Sequence, residues 1–249
     1  LVVQRLGGGP VRLLITTRQT RWGDAPGIET LCLSLLNPAE GMALLRKLVP
    51  PDRARDEKLR ELAAYLGYHP LALDLAGRYL ARNPSLPLDL YLKRLQQATF
   101  SPRPGESAHV TRAFAISWEH AVQRRTSPLL AAASLCALGE PIPLDLLREA
   151  TSLPPSRTPL TRLARWLQPP SLHVDRAAAW LVELGLLRRA AGHALAAGVS
   201  GFDALLMQPQ VAALARRAWA LGEEDNLLGR TTDAAARLAR EANDTLDLT

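Results

Sequence analysis

The sequence predicts a mainly α-helical fold with a short stretch of strand character at its start. From residue 37 onward, apolar residues recur at helical spacing in one segment after another, with proline or glycine between the segments. Runs rich in β-branched residues are confined to the first 36 positions. With 249 residues and 47% hydrophobic content, the chain is long and apolar enough to bury a core.

The elements follow in order. "VRLLITTR" (11–18) comes after a Gly-Gly-Gly-Pro loop and reads as a short buried parallel strand. "IETLCLSLL" (28–36) follows a turn at Pro26-Gly27 and reads as a second strand. Two strands this short cannot make a domain alone. In "NPAEGMALLRKL" (37–48) Asn37 can cap a helix, Pro38 suits its first position, and Glu40 stands three residues beyond the cap. Helices are expected next at 55–66, 70–82 and 87–97. Gly67 ends one in the left-handed conformation, and Pro70 opens the next, where its missing N–H has no partner to lose. "SPRPGES" (101–107) reads as a linker.

Beyond it, "AHVTRAFAISWEHAV", "PLLAAASLCAL", "IPLDLLREAT" and "VDRAAAWLVELGLL" each read as a helix. Two short apolar runs flank glycines between 186 and 207, which suits a β-hairpin, and "PQVAALARRAWAL" (209–221) is helical again. Three or so helices, a hairpin and a trailing helix are the parts of a winged-helix domain. "TTDAAARLAREANDTL" (231–246) reads as one further amphipathic helix.

Several chemistries are excluded by spacing. No apolar run reaches the roughly 18 residues of a membrane span, and the first ten residues lack a signal peptide's basic-then-apolar layout, so a cytoplasmic protein with no membrane partner is expected. Cys32 and Cys136 lie far apart in apolar segments and read as buried free thiols. The five histidines show no metal-ligand spacing, so no metal site is expected. No G-x-x-x-x-G-K-[ST] loop occurs, because none of the three lysines follows a glycine. Ser117 and Ser134 have no marked base partner, so no catalytic residue is assigned. The net charge is +6, and all but three of the 30 basic residues are arginine. They are scattered rather than striped, which argues against nucleic acid as a partner. Thr17 and Arg18, at the end of the first strand, would place a hydroxyl and a guanidinium at the edge where α/β sheets bind ligands, and arginine there suits a phosphate.

Taken in order, "LLITTR" (13–18), "LCLSLLNPAEGMALL" (31–45) and "LGYHPLALDLAGRYL" (66–80) resemble the NB-ARC branch of the STAND signal-transduction NTPases, over about residues 1–222. The resemblance implies a mainly α chain in which 1–36 is the remnant of a P-loop NTPase α/β sheet. A helical subdomain would follow at 37–100, a linker at 101–107, a winged-helix domain at 108–222, and at 223–249 a helix leading toward helical repeats. It further implies that Arg18 is the sensor arginine facing the terminal phosphate of ATP, with Thr17 beside it. Pro70 would pack on the adenine, with Leu71 lining the same pocket. The family's phosphate loop and magnesium-binding strand would precede Leu1, so the chain is expected to be a fragment. It would neither hydrolyse ATP nor hold nucleotide tightly alone, whereas the complete protein would bind ATP or ADP with Mg²⁺ and at most hydrolyse it slowly. The implied partners are the protein's own upstream core and downstream repeats, with self-association on activation.

One position departs from the family pattern. Where the family carries a histidine after the winged helix that contacts the ADP phosphate, this chain has Met207-Gln208-Pro209. Gln208 can donate a hydrogen bond but never carries a protonated histidine's charge. Two other readings therefore stay open: an interaction scaffold without nucleotide dependence, and a winged-helix DNA-binding regulator. The second is disfavoured because the helix around 173–185 is mostly apolar.

Overall fold

The computed structural model describes residues 14, 16, 30–52, 54–151, 170–190, 204–220, 231–238 and 240, with side chains at 170–173 excluded. The chain divides into two units, Leu1–Leu35 and Leu36–Thr249.

In the first unit, the second expected strand is not formed over its described residues. Residues 30–35 have no regular secondary structure, and Leu31, Leu33 and Leu35 are exposed. A strand exists only when its backbone groups pair with a neighbour, and over residues 30–35 no such pairing occurs among the described residues. Cys32 is exposed for the same reason, which corrects the expectation of a buried thiol. The first expected strand, at 11–18, lies almost wholly outside the described residues.

The second unit is mainly helical. Helix α1 (Pro38–Leu48) opens with the expected capping box: Asn37 Oδ1 accepts from the Glu40 amide at 2.9 Å, and Glu40 Oε2 accepts from the Asn37 amide at 2.9 Å. Near its end, Arg46 donates from Nε to Asp56 Oδ1 at 2.8 Å and from Nη2 to the Ala54 carbonyl at 2.8 Å, folding the 49–55 loop back on the helix. Helices α2 (Asp56–Tyr65), α3 (Pro70–Arg82) and α4 (Leu88–Gln97) follow, close to their expected bounds. Their apolar faces meet at Leu59, Leu62, Leu73, Leu75 and Leu95, all fully buried.

Tyr91 of α4 is fully buried and stacked on Tyr79 of α3, with ring centroids 5.3 Å apart, yet its hydroxyl has no hydrogen-bond partner. Burial pushes that phenol well above the ordinary tyrosine range, with the Tyr79 phenol adding to the shift. An unpaired buried hydroxyl bears a desolvation cost and gains nothing in return. Tyr91→Phe is therefore expected to leave stability unchanged or raise it by up to about 1 kcal/mol, as measured by the urea midpoint. A clear loss would reveal a partner for the hydroxyl.

Helices α5 (Ala108–Gln123) and α6 (Ser127–Leu135) come next, followed by β1 (Ile142–Pro143), α7 (Leu144–Thr151), α8 (Pro170–Glu183), β2 (Arg188–Arg189), β3 (Ala204–Leu206) and α9 (Pro209–Ala220). Residues 231–238 are helical again. The expected 186–207 hairpin strands pair antiparallel, with Arg188 opposite Leu206 and Arg189 opposite Leu205. Strand β1 was not anticipated. It pairs with the other edge of β3, Ile142 opposite Leu205, giving the order β1-β3-β2.

One buried apolar cluster runs through both halves of this unit. Helix α3 meets the end of α8 through an Arg82–Glu183 ion pair at 2.9 Å. Gly185 (φ +75°) lies so close to α3 that an added Cβ would stand 2.5 Å from Arg78 Cδ. The Tyr91–Tyr79 stack continues edge-on to His120 of α5 at 5.5 Å, and His120 meets Trp180 of α8 at 5.1 Å. Burial lowers the His120 pKa, assisted by the Arg124 and Arg94 charges, which keeps this aromatic row neutral at pH 7.

The 98–107 segment is held from a distance. Arg217 of α9 lies 3.9 Å above the Phe100 ring, donating to Glu106 Oε2 at 2.7 Å and to the Ser101 carbonyl at 3.0 Å. The expected linker is thus pinned to α9.

Candidate functional site

The site is the turn between α2 and α3. Helix α2 ends in a Schellman arrangement: the Tyr68 amide reaches the Ala63 carbonyl at 3.0 Å, and the Gly67 amide reaches the Ala64 carbonyl at 3.0 Å. This closure needs Gly67 in the left-handed region, and its φ is +60°. Tyr68 is left-handed too (φ +52°), a costly conformation for a residue with a Cβ, and its carbonyl is fixed by the Leu36 amide at 3.2 Å. His69 then returns to extended geometry as the N-cap of α3, its carbonyl accepting from the Leu73 amide at 3.0 Å.

Pro70 occupies the first turn of α3, as the Gly-to-Pro spacing requires. Its ring is exposed, whereas Leu71 is half-buried and packed against the core. The turn therefore offers a rigid apolar ring to solvent on a backbone fixed from both sides. Next to it, Tyr68 lines an open cleft of about 680 Å³ with Pro38, Met42, Arg46, Asp56 and Arg60. The hydrogen bond and charge of Arg46 hold the Asp56 carboxyl below its usual range, so the cleft carries one paired cation and the exposed guanidinium of Arg60.

His109 of α5 covers the turn from the other side. An added Cβ at Gly67 would stand 2.7 Å from His109 Nε2, so glycine is required there for its φ and for space. The Nδ1 atoms of His69 and His109 are buried with no hydrogen-bond partner. Burial, then the nearby His109, lowers the His69 pKa. Neither histidine was singled out from the sequence. The position of His69 between Gly67 and Pro70 was a usable signal, but nothing local marks His109.

The remaining candidates lie elsewhere. Gln208 is half-buried at the junction of β3 and α9, where its carbonyl accepts from the Ala212 amide at 2.9 Å. Thr17 and Arg18 lie outside the described residues. Cys136 is a free thiol raised in pKa by burial. Among the described residues no group of three His, Cys, Asp or Glu side chains could hold a metal, and no helix is long and apolar enough to cross a membrane. Comparison with protein-family models gave no match, and comparison with curated proteins gave none either.

Proposed function

We propose that the chain is the sensor strand, helical subdomain and winged-helix domain of a nucleotide-dependent switch of the NB-ARC branch of the STAND NTPases. The observation that carries this reading is the exposed ring of Pro70, fixed at the first turn of α3 by the Gly67 closure and able to stack on a purine. The succession α5-α6-β1-α7-α8-β2-β3, with β3 central in its sheet, supports a winged helix over 108–222. In this proposal Arg18 meets the terminal phosphate with Thr17 beside it, Pro70 and Leu71 hold the adenine, and Gln208 replaces the resting-state histidine. Mg²⁺ and the phosphate loop come from the upstream core. ATP and ADP act by binding the alternative arrangements of these parts unequally.

The test is the thermal midpoint of the full-length protein with ADP or ATP and magnesium. Nucleotide at a hundred times its dissociation constant is expected to add about 2.7 kcal/mol of stability. Arg18→Ala and Pro70→Ala should each shrink that nucleotide-dependent gain. Alanine is a good helix former, so α3 persists in the second variant. An equal gain in parent and variants removes these two residues from the site. No gain with either nucleotide favours the scaffold reading, which the glutamine at 208 also supports.

A further inference from the structure

We propose that His69, beside His109, is a proton-operated clasp that holds the 67–70 turn against α5 while its imidazole is neutral and releases the turn when that imidazole takes a proton. The His109 ring of α5 lies against Gly67 of the turn, and His69 follows two residues on. Both Nδ1 atoms are buried without a hydrogen-bond partner, and the residue's own backbone offsets only part of the cost of charging His69. His69 is the N-cap of α3, and a positive charge at a helix N-terminus opposes the helix dipole. The neighbouring His109 disfavours that charge further.

The other ionisable groups do not relieve this. On the α2 side stands Tyr65, whose hydroxyl accepts from Arg112, one turn along α5 from His109, at 3.4 Å. On the turn, the Tyr68 ring faces Gly41 of α1. Within α3 the nearest carboxylate, Asp74, is paired with Arg78 at 2.9 Å. Among these described groups there is one further cation and no free anion.

The sign follows from linkage. Burial and the proximity of His109 lower the His69 pKa in the closed turn, so below the ordinary histidine value of about 6.5 the open turn binds more protons than the closed one. Closure is fully favoured above that value and is lost as pH falls through the lowered one. The clasp depends on packing alone and not on the nucleotide reading, so either can fail without the other.

Two measurements test it. In imidazole NMR titrations, His109→Gln should raise the His69 midpoint and leave that of His120 unchanged. Hydrogen exchange at the Tyr68 and His69 amides, corrected for its intrinsic pH dependence, should quicken by roughly tenfold between pH 7.5 and 5.5. Most of that change should vanish in the His69→Gln/His109→Gln double variant. If His109→Gln does not fold, His109→Asn takes its place, with the same rise in the His69 midpoint expected. A His69 midpoint indifferent to position 109, or corrected exchange that does not respond to pH, overturns the clasp.

Discussion

Phe114→Ala is expected to cost about 3–5 kcal/mol of folding stability. The ring is fully buried on α5, stacked on Trp118 at 5.9 Å and tilted against Phe100 at 6.2 Å. Truncation would forfeit the transfer energy of the ring and leave a cavity. Collapse into it is restricted, because Phe100 is held from above by Arg217 and α5 is packed between α3 and α6. Phe114→Leu fills most of the volume and should cost appreciably less. The check is the urea midpoint at unchanged m-value. Equal losses for the two variants would mean that the site relaxes freely and that the aromatic layer is not what seals it.

Arg217→Ala is expected to cost about 2–4 kcal/mol, more than an ordinary surface ion pair at up to about 1 kcal/mol. The reason is burial: the Arg217 side chain is only 8% exposed and that of Glu106 25%. Removing the guanidinium leaves Glu106 with only the Arg103 amide, at 2.9 Å, and frees the Ser101 carbonyl and the Phe100 face. Arg217→Lys separates charge from shape. A lysine keeps the cation but not the planar fork or the stacking, so it should recover less than half of the loss. Full recovery would make the clamp purely coulombic. Proteolysis within 101–107 offers a second readout, since release of the segment should make it cleavable in Arg217→Ala first.

What was legible in the sequence was what neighbouring residues settle among themselves. The Asn37–Glu40 capping box, the Gly67 closure and the Pro70 start are local backbone chemistry, and each appears where spacing placed it. The 188–206 hairpin pairing was legible because two short apolar runs flank glycines. Strand β1 was not, since two residues carry no period and "IPLD" reads equally as a helix start. The 28–36 segment erred in the opposite direction, because its β-branched and leucine content expresses a preference that only a pairing partner can fulfil. At the site, Pro70 and Leu71 could be read from a motif, but the imidazole across from Gly67 comes from α5 and depends on tertiary packing.

The reach of Arg217 has a consequence during synthesis. It joins residues 111 positions apart, whereas α1 packs on α2 and α3, close by in sequence. Chains emerge from the ribosome amino end first and their early parts can fold as they appear. The first four helices can therefore assemble while α9 is still unmade. Through that interval the face of Phe100 has no guanidinium over it. Helix α9 thus completes a surface that the nascent chain must carry bare, and a truncated translation product ending before residue 217 would leave that ring open to chaperones and proteases.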